Sequence, residues 1–78
     1  MPMLDPLATF LMRVLAAGND VAPAGALFRN PDGITDDQRA MVDELARRGR
    51  ENGYITDSGG DRVSVTADGQ RFLEDADL

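Results

Sequence analysis

The sequence predicts a small, mainly α-helical domain with one β-hairpin: three helices, a two-stranded hairpin and a short closing helix. Three observations carry that prediction. Apolar residues recur at helical spacing in two segments, each opened by a capping signal. The glycine-containing stretch DSGGD, residues 57–61, separates two short runs of strand-forming residues. Thr66 then opens a last segment that Phe72 and Leu73 anchor.

The first helix is expected over residues 6–17. Asp5 supplies an N-cap acceptor, and Pro6 occupies the first helical position, where its missing N–H costs nothing. Leu7, Phe10, Leu11, Val14 and Leu15 make the core face, and Gly18 is a natural terminator. The opposite face carries Ala8, Met12, Ala16 and Ala17, with only Thr9 and Arg13 as polar interruptions. Such a helix is expected to be buried on more than one side, either at the centre of the domain or in a homodimer interface.

In NDVAPAGALFRNPDG, residues 19–33, a turn leads into a short second helix of about six to eight residues with Pro23 in its first turn, and NPDG then closes it. The third helix is the clearest. Thr35 with Gln38 three residues on is a capping box, Asp36 and Asp37 suit the positive end of the helix dipole, and Ile34 is placed to staple the first turn. Met41, Val42, Leu45 and Ala46 form the expected buried stripe, which Gly49 continues, and Gly53 marks the end. Asp43 with Arg47 and Glu44 with Arg48 are acid-before-base pairs four residues apart. Beyond it, YIT and RVSVT read as strands in which Ile55, Val63 and Val65 share a face, joined by DSGGD as the loop. Thr66 caps the closing helix, Gly69 lowers its intrinsic stability, and EDADL is expected to fray.

Composition narrows the chemistry. A chain of 78 residues is one small domain without cysteine or histidine. It has no disulfide framework, no thiolate nucleophile, no imidazole base and no zinc ligand set of the usual types. The apolar run at 6–18 is too short to span a bilayer and is interrupted by Arg13, and no basic leader precedes it, so a cytoplasmic location is expected. Net charge is −6 and is unevenly spread: −3 over residues 1–38, +2 over residues 39–50 and −5 over residues 51–78. The basic segment holds Arg39, Arg47, Arg48 and Arg50, and all eight basic residues of the chain are arginines.

The succession LARRGRENGYI, a hairpin and VSVTADGQRFL resembles the winged-helix family, in particular small bacterial and archaeal regulators. In these the third helix runs into a Gly-Tyr-Ile strand start, here Gly53, Tyr54 and Ile55, and the second strand ends in Thr-x-x-Gly, here Thr66 and Gly69. Leu45 stands at the apolar position of the third helix, and the resemblance covers about residues 4–76. It implies a third helix that enters the DNA major groove and a hairpin wing that touches the flanking backbone or minor groove. By position, Thr35, Gln38 and Arg39 are then the base-facing candidates, and Arg47, Arg48 and Arg62 the phosphate or wing candidates. Arg and Gln suit base edges, pairing with guanine and adenine respectively. The chain departs from the pattern at Asp36 and Asp37, which begin the third helix, and at Asp57 and Asp61, which flank the wing tip.

Two functional expectations follow. One is a DNA-binding transcriptional regulator on double-stranded DNA, paired as a homodimer through the first or last helix so that two third helices address half-sites about one helical turn apart. The other is an acidic winged-helix adaptor or inhibitor that binds a protein, with Asp36, Asp37, Met12 and Arg13 as contact candidates. Neither expectation involves a membrane, a cofactor or a metal. DSGGD lacks the alternating ligands of a calcium loop, GGDR is followed by no phosphate-binding lysine, and Ser58 and Ser64 have no base, so an enzyme is not expected. Glu74, Asp75 and Asp77 read as solvating charge at the chain end.

Overall fold

The computed structural model describes residues 5–75. Along the chain run α1 (Pro6–Ala16), α2 (Pro23–Leu27), a 3₁₀ turn (Pro31–Gly33), α3 (Asp36–Glu51), β1 (Ile55–Gly59), β2 (Arg62–Val65) and α4 (Ala67–Asp75). Three helices, a hairpin wing and a closing helix make a winged-helix-like arrangement.

Local chemistry sets the boundaries. Asp5 Oδ1 accepts from the Leu7 N–H at 2.8 Å and starts α1. At its end the Asn19 N–H donates to the Val14 carbonyl and the Gly18 N–H to the Leu15 carbonyl, the paired bonds of a Schellman cap, with Gly18 at φ 99°. The same pair closes α3, from Tyr54 N–H to Gly49 and from Gly53 N–H to Arg50, with Gly53 at φ 75°. Thr35 and Gln38 form the complete capping box at the start of α3.

The core lies between α1, α3 and the hairpin. Phe10, Leu11, Val14 and Val63 are fully buried, and Leu45, Ala46, Ile55 and Val65 close around them. As the alternation requires, Ile55, Val63 and Val65 share the inner face of the antiparallel pair, with Ile55 opposite Val65. Tyr54 and Phe72 stack at a centroid distance of 4.5 Å and tie α4 to the end of α3.

Several expectations are corrected. The second helix is only 5 residues long. Ala22 offers no capping side chain, and Phe28 turns extended immediately after Leu27. NPDG forms the 3₁₀ turn that follows. β1 continues through Asp57, Ser58 and Gly59, which shortens the loop to Gly60 and Asp61. A register irregularity between Asp57 and Gly59, with Gly59 and Gly60 at positive φ, makes that tight turn feasible. Met41 is 46% exposed, because the buried stripe runs through Val42, Leu45, Ala46 and Gly49 and leaves Met41 on its flank. Helix α1 is not enclosed either: Ala8 is buried, but Met12 is 43% exposed and Ala16 and Ala17 face solvent. The core cluster draws on its Leu7, Phe10, Leu11 and Val14 side. Glu74 and Asp75 complete α4, and the rest of EDADL lies outside the described residues.

Sequence reasoning also missed the docking of the hairpin. Val21, in the connection after α1, pairs with Val63 as an isolated antiparallel rung. The Asn19 side chain, on a residue at φ 59°, accepts the Val65 N–H at 2.7 Å. Asp20 accepts the Ser58 hydroxyl at 2.6 Å and lies 3.5 Å from Arg62. One short connection therefore holds the hairpin at its base and along its outer arm.

Candidate functional site

The exposed side of α3 and the facing hairpin form the candidate site. A helix advances 3.6 residues per turn, so the positions opposite the buried stripe of Val42, Leu45, Ala46 and Gly49 are Asp36, Ala40, Glu44, Arg47 and Glu51. The later part of this outward face, from Glu44 to Glu51, is an ion-pair network. Arg47 Nε and Nη2 donate to the two oxygens of Glu44 at 2.9 and 2.8 Å, while Nη1 donates to Glu51 at 2.7 Å. Arg48 reaches Glu44 as well, at 3.2 Å. The hydrogen bonds that Arg47 donates to Glu44 hold the Glu44 carboxyl below its ordinary pKa and raise that of Arg47. Of the two pairs expected from spacing, Glu44 with Arg48 forms, whereas Arg47 turns from Asp43 to Glu44 and Glu51. The longer glutamate side chain presents both oxygens to the guanidinium fork.

The cleft side of α3 runs through Arg39, Asp43, Ala46 and Arg50 and faces the hairpin across a cavity of about 690 Å³. Ala22, Pro23, Ile34 and Val42 give it an apolar floor, and Asp57, Gly59, Gly60 and Asp61 form the opposite wall. Arg50 bonds Asp57 across the cleft at 3.0 Å.

The base-facing candidates are thus differently placed. Thr35 and Gln38 bond each other's backbone N–H in the capping box, at 3.1 and 2.8 Å. Arg39 lines the cleft. Of the phosphate candidates, Arg47 and Arg48 belong to the network around Glu44, and Arg62 pairs with Asp20. Asp36 and Asp37 are exposed in the first turn of α3, while Met12 and Arg13 lie on α1, outside the cleft. Among the described residues Arg13, Arg29, Arg39 and Arg71 make no ion pair. The spacing of residues 39, 43, 46 and 50 was the available signal for the cleft; the hairpin wall had none.

No helix among the described residues is long and apolar enough to cross a membrane. No group of three acidic, histidine or cysteine side chains among them is arranged to hold a metal ion. Comparison with family models, curated proteins and solved structures finds no match for the chain.

Proposed function

We propose that the chain is an acidic winged-helix interaction module that binds a protein through α3 and the hairpin. The observation that carries this reading is the outward face of α3. Asp36, Glu44 and Glu51 stand there against Arg47 and Arg48, with Arg47 already bound to Glu44 and Glu51 and Arg48 to Glu44. A phosphate backbone approaching this face meets more negative charge than positive, whereas binding to duplex DNA depends on cations that displace condensed counterions. The test is a titration of labelled mixed-sequence duplex at two salt concentrations, read by fluorescence anisotropy. Absence of binding at low salt is expected. Binding that falls steeply as salt rises would sink the reading.

The DNA-binding reading stands second, favoured by the exposure of the arginines concerned. The side chains of Arg47, Arg48 and Arg62 remain 53%, 58% and 55% exposed. Exposed ion pairs are worth only about 0–1 kcal/mol, so these guanidiniums can exchange a carboxylate for a phosphate. In that reading the uncovered Met12 and Ala16 side of α1 pairs two copies, and light scattering at high concentration returns a dimer mass.

A further inference from the structure

We infer that the cleft between α3 and the hairpin seats a short basic segment of a partner protein, with apolar residues beside its lysines or arginines. The inference rests on the protein-binding reading above and names where such a partner docks.

Charge complementarity identifies the occupant. Within the cleft Arg50 is neutralised by Asp57 at 3.0 Å. That leaves Arg39 against two carboxylates, Asp43 on the helix wall and Asp61 on the hairpin wall, neither of which makes an ion pair with a described residue. Between the two walls the floor is apolar, formed by Pro23, Ile34, Val42 and Ala46. A cation on a long aliphatic stem matches such a site, since the stem covers apolar surface while the charged head reaches a rim carboxylate. An anionic ligand would have to bring its charge between Asp43 and Asp61.

The walls are also held in place before any partner arrives. Asp20 bonds Ser58 at 2.6 Å, Asn19 bonds the Val65 N–H at 2.7 Å, and Val21 pairs with Val63. These contacts fix the hairpin against the body of the domain, so docking need not order it. With a volume of about 690 Å³, the cleft accepts a few side chains.

The test titrates a capped peptide of alternating lysine and leucine into the isotope-labelled protein and follows the backbone amides by NMR. The same peptide with glutamate in place of lysine serves as the control. Shifts at Ala24, Val42, Asp43, Gly59 and Gly60, seen with the lysine peptide alone, are expected. Asp43→Asn with Asp61→Asn should weaken that binding about three- to tenfold, the scale of two exposed ion pairs, and Arg39→Ala should strengthen it. Equal binding of both peptides, shifts elsewhere on the surface, or unchanged affinity in the double variant would overturn the cleft assignment. Salt-sensitive duplex binding in the anisotropy titration would instead remove the protein-binding reading itself. The two failures are therefore distinguishable.

Discussion

Replacing Gly69 by alanine sets two effects of opposite sign against each other. Gly69 lies in the first turns of α4, and a glycine inside a helix costs about 1 kcal/mol relative to alanine, so propensity alone predicts a gain. The packing around it predicts a loss. A Cβ at this position would stand 2.3 Å from the Tyr54 carbonyl oxygen and 2.7 Å from Val65 Cγ1. Ordinary carbon–oxygen contacts begin near about 3.3 Å, so helix and strand start would have to part by roughly 1 Å. Neither side yields easily. The Tyr54 carbonyl accepts the Thr66 N–H at 2.8 Å, the Tyr54 N–H is bound to Gly49, and the Thr66 hydroxyl donates to the Gly53 carbonyl at 2.6 Å.

Overpacking of this kind costs about 1–3 kcal/mol, and loss of one of these hydrogen bonds about 1 kcal/mol more. After the propensity gain, Gly69→Ala is expected to destabilise the domain by about 2 kcal/mol, a fall in Tm of roughly 8–16 °C for a domain of this size. Thermal unfolding followed by circular dichroism measures it. Gly25→Ala is the control, since Gly25 lies in α2 and its Cβ would meet only Val21 Cγ2, at 3.4 Å. That variant should match or exceed the parent by up to about 1 kcal/mol. A Gly69→Ala protein as stable as the parent would refute the close-approach argument.

Three further outcomes are expected. Thr35→Ala removes the hydroxyl that accepts the Gln38 N–H and should cost about 1 kcal/mol in urea unfolding, with Thr35→Ser nearly neutral. Asn19→Ala leaves the Val65 N–H without its acceptor and puts alanine at φ 59°, so a loss of about 2–4 kcal/mol and faster hydrogen exchange at Val65 should accompany it. Glu44→Gln tests the ion-pair network through pH. The Glu44 carboxyl is held below its ordinary value by Arg47, so its contribution is present above the unfolded glutamate pKa and disappears as pH falls through the lowered folded value. The difference in Tm between parent and variant should therefore be greatest near neutrality and vanish in acid, and a gap independent of pH would count against the pairing.

What the sequence made legible was local. Asp5, Thr35 and Thr66 act as caps because each needs only an N–H two or three residues away, and Gly18 and Gly53 end helices because positive φ is a property of one residue. The shared face of Ile55, Val63 and Val65 followed from the period of a strand. What stayed hidden depended on distant partners. Val21 has ordinary strand chemistry in a turn-rich stretch, and only the folded chain brings it to Val63. The choice of Arg47 between Asp43, Glu44 and Glu51 turned on side-chain reach, which spacing does not encode. Likewise the hairpin wall of the cleft is assembled by a bulge and a clamp, neither written as a pattern.

The fold alone therefore does not select the ligand, since three helices and a wing present a helix outward whatever it carries. The side chains on that helix must decide. Exchanging a surface ion pair for a phosphate contact changes little, because each interaction is worth about 0–1 kcal/mol. Uncompensated repulsion matters more. Two like charges 4 Å apart in water repel by about 1 kcal/mol, and pairing Arg47 to a phosphate would release Glu44 and Glu51 beside the same backbone. Asp36 lies on that face too, so moving Arg47 to a phosphate leaves three carboxylates beside the same backbone. A basic peptide meets a different balance in the cleft: it can pair with Asp43 and Asp61 against Arg39 alone while the Arg47 network stays intact. The cleft therefore suits a positively charged segment without breaking any ion pair, whereas DNA on the outward face must first break those of Arg47.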